Sequence, residues 1–186
     1  MYVSEQMIDT LVALYGVPQR VEFTFAIGAD EYQRIKASQK NSRKHDFTLY
    51  IIKDSQIVVI AKHFYPPGLY RAPSGGIKPG EDLQAGINRE VMEETGCKIE
   101  LERFLLITNV LFESNIGSIP WNSYILQARY TGGDFIFTDH KEIREVRLAS
   151  LNEFKTFSTI MKRSSIGGLH YRAALHEAVE ELLVIP

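Results

Sequence analysis

The chain is short of cysteine, of excess charge and of long apolar runs, and each shortage excludes a class of protein. Cys97 is the single cysteine in 186 residues, which rules out an internal disulfide and suits a reducing cytoplasm. The formal net charge of −2 lacks the basic excess of proteins that bind nucleic-acid polymers. No segment resembles a signal peptide or approaches membrane-spanning length. We therefore expect a cytoplasmic protein that binds neither a nucleic-acid polymer nor a membrane.

The chain does contain enough apolar sequence for a folded core. Hydrophobic residues make up 45% of it, and a chain of this length is most simply one domain with an added segment. We place the domain at residues 46–186 and treat residues 1–45 as an N-terminal helix-strand-helix extension. Its predicted elements are a helix from Ser4 to Tyr15 ended by Gly16, a strand over 21–27, a helix from Asp30 to about Lys40, and a polar loop over 39–44.

Strand and helix patterns alternate through the rest of the chain. Because they are interleaved, we expect an α/β (α+β) fold in which helices cover both sides of a mixed sheet. The predicted elements are strands over 47–53, 56–63, 98–112, 121–130 and 142–148, helices over 82–95, 151–157 and 169–183, loops over 63–71 and 113–120, and turns at 54–55 and 131–133.

Residues 75–97 carry the most specific pattern in the chain. In one-letter code it is G-x5-E-x7-R-E-V-x-E-E-x-G, a glycine turn and a short helix with Gly96 as its left-handed cap. Glu90, Glu93 and Glu94 are three and four positions apart, so a helix brings them to one side. Carboxylates crowded on one face repel each other unless a cation lies among them, and hard divalent cations prefer oxygen ligands. The pattern therefore favours a metal site that faces a phosphate chain.

This pattern resembles the Nudix box at all of its fixed positions, which makes the chain similar to Nudix hydrolases. The resemblance implies an α/β/α sandwich and metal-dependent cleavage of a nucleoside diphosphate linked to another group. It implies Mg²⁺ as cofactor, with Mn²⁺ as a substitute. It also assigns Glu90, Glu93 and Glu94 to the catalytic metal site and the Ser74 backbone carbonyl as a further ligand.

Arg89 is expected to bind a carboxylate instead of a metal ion. Its rigid guanidinium fork suits a bidentate pairing with a carboxylate, and Glu81 is the box glutamate nearest the turn. We expect this pair to brace the loop against the helix. Two alternatives stay open, namely that Glu81 lies near the metal and that Arg89 binds phosphate.

The box does not fix the catalytic base, because the position of the base varies across the family. It is either a box glutamate or a carboxylate delivered by a loop. Glu142 is the preferred loop candidate, with Glu145 and Glu113 as further choices. An ordinary surface carboxylate is the competing interpretation of each.

The turn that precedes the box bears on the substrate. Residues 73–77 resemble the turn of ADP-ribose and ADP-sugar hydrolases, which favours a nucleotide sugar such as ADP-ribose. We expect Tyr65, Tyr70 and Arg71 to stack on a base and contact phosphate, and Trp121 to line the pocket, although alternating aromatics in a strand also fit a core. The downstream proline that marks many ADP-ribose hydrolases is absent near Phe112 and Glu113, and the signatures of dinucleoside polyphosphate and coenzyme A hydrolases are absent too. The alternatives are a nucleoside triphosphate pyrophosphohydrolase and a nucleotide-sensing module without activity.

Three further features bear on packing. Extensions like residues 1–45 often form a homodimer interface or cover the nucleotide pocket in relatives, and the resemblance implies one of these roles. Gly86 replaces the alanine usual in relatives, which allows close packing at the cost of helix propensity. Cys97 replaces an aliphatic residue, and we expect it to be a buried small hydrophobe.

Overall fold

The computed structural model describes residues 3–39 and 43–185. Within these ranges one seven-stranded sheet is flanked by five helices, none of which is both long and apolar enough to cross a bilayer. The helices are α1 Glu5–Tyr15, α2 Ala29–Ser38, α3 Leu83–Thr95, α4 Leu151–Lys162 and α5 Gly167–Glu180, and the strands are β1 Gln19–Ala26, β2 His45–Lys53, β3 Gln56–Lys62, β4 Ser74–Gly75, β5 Cys97–Ser114, β6 Gly117–Gly133 and β7 Ile143–Ala149.

The sheet is mixed, as the interleaved pattern predicted. Its strand order is β1-β5-β6-β2-β3-β7, and the short β4 pairs with β2. β1 runs parallel to β5 and β2 runs parallel to β6, whereas the other neighbouring pairs are antiparallel. β2 therefore lies inside the sheet, and the β4 turn is held against it.

Helices cover both faces of the sheet, which confirms the α/β/α sandwich. Phe47, Leu49 and Ile51 of β2 pack into the core beneath α1 and α3, while Tyr50 and Ile52 pack into the core beneath α4 and α5. A strand buried on both faces reads as a continuous apolar run, which is why β2 shows no alternation. The central strands are thus a rigid support for the β4 turn and α3.

The start of the extension agrees with its sequence pattern. Ser4 caps α1 by accepting a hydrogen bond from a backbone N–H of the first turn, and Gly16 ends the helix. Leu11 lies in the core below α1 and α3. β1 is hydrogen-bonded in parallel to β5, with Gln19 opposite Leu106. These segments therefore continue the sheet and its covering layer.

The second helix of the extension begins earlier than predicted. Its N-cap is Gly28, in an extended conformation, and Asp30 lies inside the first turn instead of at the cap. An acidic side chain there is still favourable, because it faces the positive end of the helix dipole. The described helix ends at Ser38. The predicted end near Lys40 and the middle of the predicted loop over 39–44 lie outside the described residues.

The predicted loop over 113–120 is wrong, because β5 and β6 form one long antiparallel hairpin. Only Asn115 and Ile116 lie between the two strands. Pro120 sits inside β6, opposite Leu111. Pairing of β6 with β2 begins only at Asn122, so at Pro120 one side of β6 has no strand partner. Proline is tolerated at such an edge because no ladder needs its missing N–H.

Two other boundaries differ from the sequence pattern. Residues 131–133, predicted as a turn, continue β6, because Gly133 still pairs with the first residue of β5. α4, predicted over 151–157, extends to Lys162. Its apolar face continues through the fully buried Met161, so packing extends the helix beyond the segment that the pattern marked.

Lowering the pH from 7 to 5 should cost the fold about 2 kcal/mol through His176. Within the described residues its buried Nδ1 has no hydrogen-bond partner. Burial, together with the charges of Arg172 and Arg71, lowers its pKa from 6.5 to about 3. Because the His176 pKa is lower in the folded state than in the unfolded chain, protonation of His176 favours unfolding. Its contribution to the free energy of unfolding is therefore fully present above pH 6.5 and is lost as the pH falls towards 3.

Urea unfolding at both pH values tests this contribution. His176→Leu should lose less free energy of unfolding between pH 7 and pH 5 than the unmodified protein. The exposed His140 supplies the control, since His140→Gln should keep the full pH dependence. An unchanged pH dependence in His176→Leu would rule out His176 as the source.

Candidate functional site

A cleft of about 450 Å³ opens between the β4 turn, α3, the β5-β6 hairpin, α2 and α5. It brings together charged groups from segments that are distant in the sequence. The carboxylates that line it belong to Glu31, Asp46, Glu90, Glu94, Asp139 and Glu142, and the cationic groups belong to Arg43, Lys62, Arg71 and Arg172.

α3 has the limits that its sequence predicts. Asp82 is the N-cap and accepts a hydrogen bond from the Ala85 N–H at 2.9 Å. Gly96 ends the helix in the left-handed conformation, which favours glycine. Ile87 and Val91 of α3 are buried in the core, so the other side of the helix is available to the cleft.

Close packing along α3 explains two of the unusual box residues. A Cβ on Gly86 would lie 2.5 Å from Ile77 Cγ2 and 2.8 Å from Glu81 Oε2, so the close packing predicted there is confirmed. Cys97 is 1% exposed, which confirms a buried small side chain. Burial raises the pKa of its thiol, which makes it a poor nucleophile.

Glu90 and Glu94 are the box carboxylates that line the cleft. Glu94 is 5% exposed and accepts a hydrogen bond from the Ser74 N–H at 2.9 Å. Glu90 lies against Gly75, where a Cβ would come within 2.1 Å of Glu90 Oε2. The glycine turn therefore lets the backbone of β4 approach both carboxylates.

The surroundings of the Glu94 carboxyl disfavour its charged form. Burial raises its pKa to about 7, and the nearby Glu90 charge acts in the same direction. The charges of Arg71 and Lys62 and the hydrogen bond from Ser74 oppose this rise. A buried carboxylate beside a second carboxylate is the arrangement that a bound cation would stabilise.

Arg89 joins the helix to the loop before it. Its Nε and Nη2 atoms donate to Glu81 Oε1 and Oε2 at 2.8 and 2.9 Å, and Nη2 also reaches the Gly76 carbonyl at 3.2 Å. Its Nη1 donates to Glu90 at 2.9 Å and to Glu93 at 3.1 Å. The hydrogen bonds from Arg89 lower the Glu81 pKa to about 2. Glu81 therefore stays ionised and bonded to Arg89.

Glu93 is the most exposed of the three helix glutamates. Its side chain is 44% exposed and accepts from Arg89, and it is not among the described residues that line the cleft. Among residues 3–39 and 43–185, no three His, Cys, Asp or Glu side chains meet in a group that could hold a metal ion. Glu90 and Glu94 still fit magnesium chemistry, since Mg²⁺ usually takes one or two protein carboxylates with water and substrate phosphate.

Among the three loop carboxylates proposed as the base, only Glu142 reaches the cleft wall. It accepts a hydrogen bond from the Lys62 ammonium, which lowers its pKa, and both side chains line the cleft. Glu145 instead accepts from the Tyr70 hydroxyl at 2.8 Å. Glu113 lies in β5 instead of a loop and is exposed.

The predicted substrate-binding residues are divided in the same way. Arg71 and Trp121 line the cleft, whereas Tyr65 and Tyr70 are not among its described lining residues. Tyr65 lies behind Arg71 and accepts from its Nε at 3.0 Å. The Tyr70 ring packs in the core with the Arg147 guanidinium 4.0 Å from its centre. Neither ring is placed to stack on a bound base.

Sequence reasoning missed a buried ion pair in the cleft. Asp46 is 5% exposed and accepts from Arg172 Nη2 at 2.6 Å, from Trp121 Nε1 at 3.2 Å and from the Ser123 hydroxyl. Burial acts to raise the Asp46 pKa, but the Arg172 charge and these hydrogen bonds hold it below its usual value. The only signal was a charged residue at the start of an otherwise buried strand, which is too weak to identify a site.

The extension and α5 meet at one end of the cleft, which sequence reasoning also missed. Both carboxylate oxygens of Glu31 accept backbone N–H groups at the start of α5, from Gly167 at 3.0 Å and from Gly168 at 2.7 Å. A Cβ on Gly167 would lie 2.0 Å from the Ala26 carbonyl oxygen. The two glycines therefore allow β1 and α2 to dock closely against α5.

Comparisons with known proteins agree with the box. A model of the NUDIX domain matches residues 43–165, which is more than half of the chain. Nudix hydrolase 25 of Arabidopsis thaliana is 39% identical over 46 residues, which cover 25% of this chain and 26% of that protein. The match thus spans about a quarter of the length of this curated relative.

Several solved structures are similar to this chain at low identity. A UDP-X diphosphatase is 18% identical with a TM-score of 0.47, over 65% of this chain and 60% of that chain. An ADP-ribose pyrophosphatase from Streptococcus suis is 17% identical with a TM-score of 0.44, over 59% and 75%. A NUDIX hydrolase from Nitrosomonas europaea is 14% identical with a TM-score of 0.49, over 71% and 88%.

Proposed function

The chain belongs to the Nudix family, and from that premise we propose that it is a metal-dependent hydrolase that cleaves a pyrophosphate bond. The proposed substrate is a small molecule in which a nucleoside diphosphate is linked to another group. One observation carries this proposal above all. Two carboxylates of the box helix and several cationic side chains face each other across a single cleft, so the cleft can hold a cation and a phosphate chain side by side.

The metal site is proposed at the α3 wall of the cleft. Glu90 and Glu94 would hold the ion, with Glu93 and the Ser74 carbonyl as the further ligands that the family resemblance implies. A bound Mg²⁺ ion, or Mn²⁺ in its place, supplies charge neutralisation and Lewis acidity towards a pyrophosphate. Arg89 keeps Glu90 and Glu93 oriented by hydrogen bonds. This orienting role resembles that of outer-shell partners in known metal sites.

Glu142 is proposed as the residue that takes the proton from the attacking water. Lys62 holds its carboxyl and keeps it ionised by lowering its pKa. Glu142→Gln should then lower kcat about 100- to 10,000-fold, the usual range for general acid–base catalysis. The fold should survive, since a glutamine oxygen can still accept from Lys62. Steady-state kinetics across the pH range measure the loss.

Glu145→Gln is the matched control for this change, because Glu145 is bonded to Tyr70 away from the cleft. It should leave kcat within about twofold of the unmodified protein. Activity retained by Glu142→Gln would move the base to a box glutamate and would leave the proposed metal site untouched.

ADP-ribose or a related nucleotide sugar is the favoured substrate. The turn over residues 73–77, which resembles that of ADP-ribose and ADP-sugar hydrolases, supports this choice. Trp121 and Arg71 line the cleft and bring an aromatic side chain and a cation to its wall. Nucleoside triphosphates are the second class, since the same cleft chemistry serves any pyrophosphate. A sensing module without activity is the third reading, and the intact set of box glutamates disfavours it.

A product screen tests the proposal. The full chain is incubated with nucleotide sugars, dinucleoside polyphosphates and nucleoside triphosphates, with Mg²⁺ and then with Mn²⁺, and the nucleotide products are separated. We expect metal-dependent release of a nucleoside monophosphate from a nucleotide sugar. Binding of these compounds without turnover under either metal would support the sensing module instead.

Two properties of the whole protein are also proposed from the sequence. A cytoplasmic location is consistent with its single cysteine, Cys97, which is buried and unpaired. A homodimer is proposed by analogy with relatives that carry extensions. Light scattering would measure twice the chain mass of 21.2 kDa for the dimer.

A further inference from the structure

Arg172 reaches the cleft from α5, which begins after the matched segment 43–165 ends. Its Nη1 donates to Thr48 Oγ1 at 3.0 Å. Its Nη2 donates to Asp46 Oδ2 at 2.6 Å and to Ser74 Oγ at 3.2 Å. These contacts fix the guanidinium beside the β4 turn, next to the carboxylate wall of α3.

A second guanidinium converges on the same hydroxyl. Arg71 Nη1 donates to Ser74 Oγ at 2.9 Å, so the two arginines lie side by side. Asp46 offers its charge to Arg172 within hydrogen-bonding distance, whereas the ion-pair partner of Arg71, Glu94, lies at 3.9 Å. Two adjacent cations in a largely buried site repel each other strongly. Of the two guanidinium groups, only that of Arg172 is closely bonded to a carboxylate, which belongs to Asp46. Both arginines line the cleft.

We propose that Arg71 and Arg172 form an anion site for a second phosphate of the substrate, which makes Arg172 a phosphate-binding residue. The inference rests on the proposed function, because it divides a diphosphate between two walls. One phosphate lies at the α3 carboxylates with their cation, and the other lies at the arginine pair. Planar guanidinium forks suit phosphate oxygens. The site therefore selects pyrophosphate-linked compounds over monophosphate esters.

A purely structural role for Arg172 makes a different prediction. If Arg172 only neutralises Asp46 and ties α5 to β2, replacing both partners by neutral side chains of similar shape should leave anion binding unchanged. The double variant Arg172→Gln with Asp46→Asn makes this replacement. It keeps the net charge of the chain and leaves neither Asp46 nor Arg172 as an unpaired buried charge. A loss of anion binding would therefore come neither from a change in net charge nor from an unpaired charge.

Binding of inorganic pyrophosphate to the full chain in EDTA, measured by calorimetry at fixed ionic strength, tests the site without turnover. We expect the unmodified protein to bind and the double variant to bind at least about tenfold more weakly, as expected for loss of charge-assisted hydrogen bonds. The matched control is Arg147→Gln with Glu153→Gln, a pair joined at 2.8 Å outside the cleft. It should bind within about twofold of the unmodified protein.

Turnover supplies a second measurement. In the presence of metal the double variant should raise KM for the nucleotide sugar at least about tenfold, the same loss of binding, and change kcat less than KM. If it does not fold, as judged by circular dichroism, Arg172→Lys replaces it. Lysine keeps the charge but cannot contact Asp46 and phosphate together as a fork does, so a several-fold loss is expected.

Two results would overturn the anion site. The first is that the unmodified protein does not bind pyrophosphate. The second is that the double variant, or Arg172→Lys if the double variant does not fold, binds pyrophosphate as well as the control does. Failure of the proposed function would look different. In that case pyrophosphate would still bind and the double variant would still lose it, but the unmodified protein would turn over none of the screened compounds.

Discussion

Glu94→Gln is expected to abolish turnover and leave the fold intact. Glu94 is the most buried of the box carboxylates facing the cleft and is held by the Ser74 N–H. Losing an outer-shell partner of a metal site typically costs 10- to 100-fold in metal affinity or activity, so losing a proposed ligand should cost more than about 100-fold. Glutamine has nearly the same shape and removes a buried charge, so the melting temperature should stay level or rise.

Two measurements check this prediction. Steady-state turnover on the best substrate of the screen should vanish at every Mg²⁺ concentration, and calorimetric titration with Mn²⁺ should show weakened metal binding. Glu100→Gln is the control, because Glu100 pairs with Arg129 on the exposed part of the sheet. An active Glu94→Gln protein would remove Glu94 from the metal site, and with it the central assignment of the proposed function.

Arg89→Gln is expected to reduce the free energy of unfolding by a large amount and also to reduce activity. Arg89 makes five hydrogen bonds to Glu81, Gly76, Glu90 and Glu93. Removing it leaves the Glu81 carboxylate, whose side chain is 18% exposed, without its cation. Breaking a fully buried pair costs 3–5 kcal/mol, and partial exposure here reduces that to about 2–3 kcal/mol. The misplaced Glu90 should lower kcat about 10- to 100-fold.

A double-mutant cycle separates bracing from phosphate binding by Arg89. Denaturant unfolding of Arg89→Gln, Glu81→Gln and the double variant should give a coupling free energy of at least about 1 kcal/mol. In the bracing role the loss falls mainly on kcat and on stability. A raised KM with unchanged stability, and no coupling to Glu81, would instead make Arg89 a phosphate ligand. The Arg147 and Glu153 pair again serves as the control outside the cleft.

Local patterns predicted the box helix well, because its signals are local. Asp82 caps α3 with its own side chain and Gly96 ends it in a left-handed conformation, and both features depend on neighbours within one turn. The hairpin over 113–120 was missed for the opposite reason. Glycine and proline there marked a loop, but pairing over the whole length of β5 keeps Pro120 in a strand.

The site was predictable only where one helix builds it. Glu90, Glu93 and Glu94 follow from helical spacing, but that spacing does not report that Glu93 is the most exposed of the three and is not among the described residues that line the cleft. Tyr70 was expected in the site from the resemblance to ADP-ribose and ADP-sugar hydrolases. Its contact with Arg147 of β7 holds it in the core, and no local pattern reports such a contact.

The sequence by itself determined the family, the helix that carries the carboxylates and the glycine turn that approaches them, since each depends on residue spacing within one short segment. Only the tertiary structure decided what faces them. Sheet pairing brings Asp46 of β2 to the cleft. Glu31 binds the start of α5, and the same helix carries Arg172, which lies outside the matched segment, to Asp46. These groups meet through contacts between residues far apart in the chain, and such tertiary contacts cannot be inferred from the spacing of residues along the sequence.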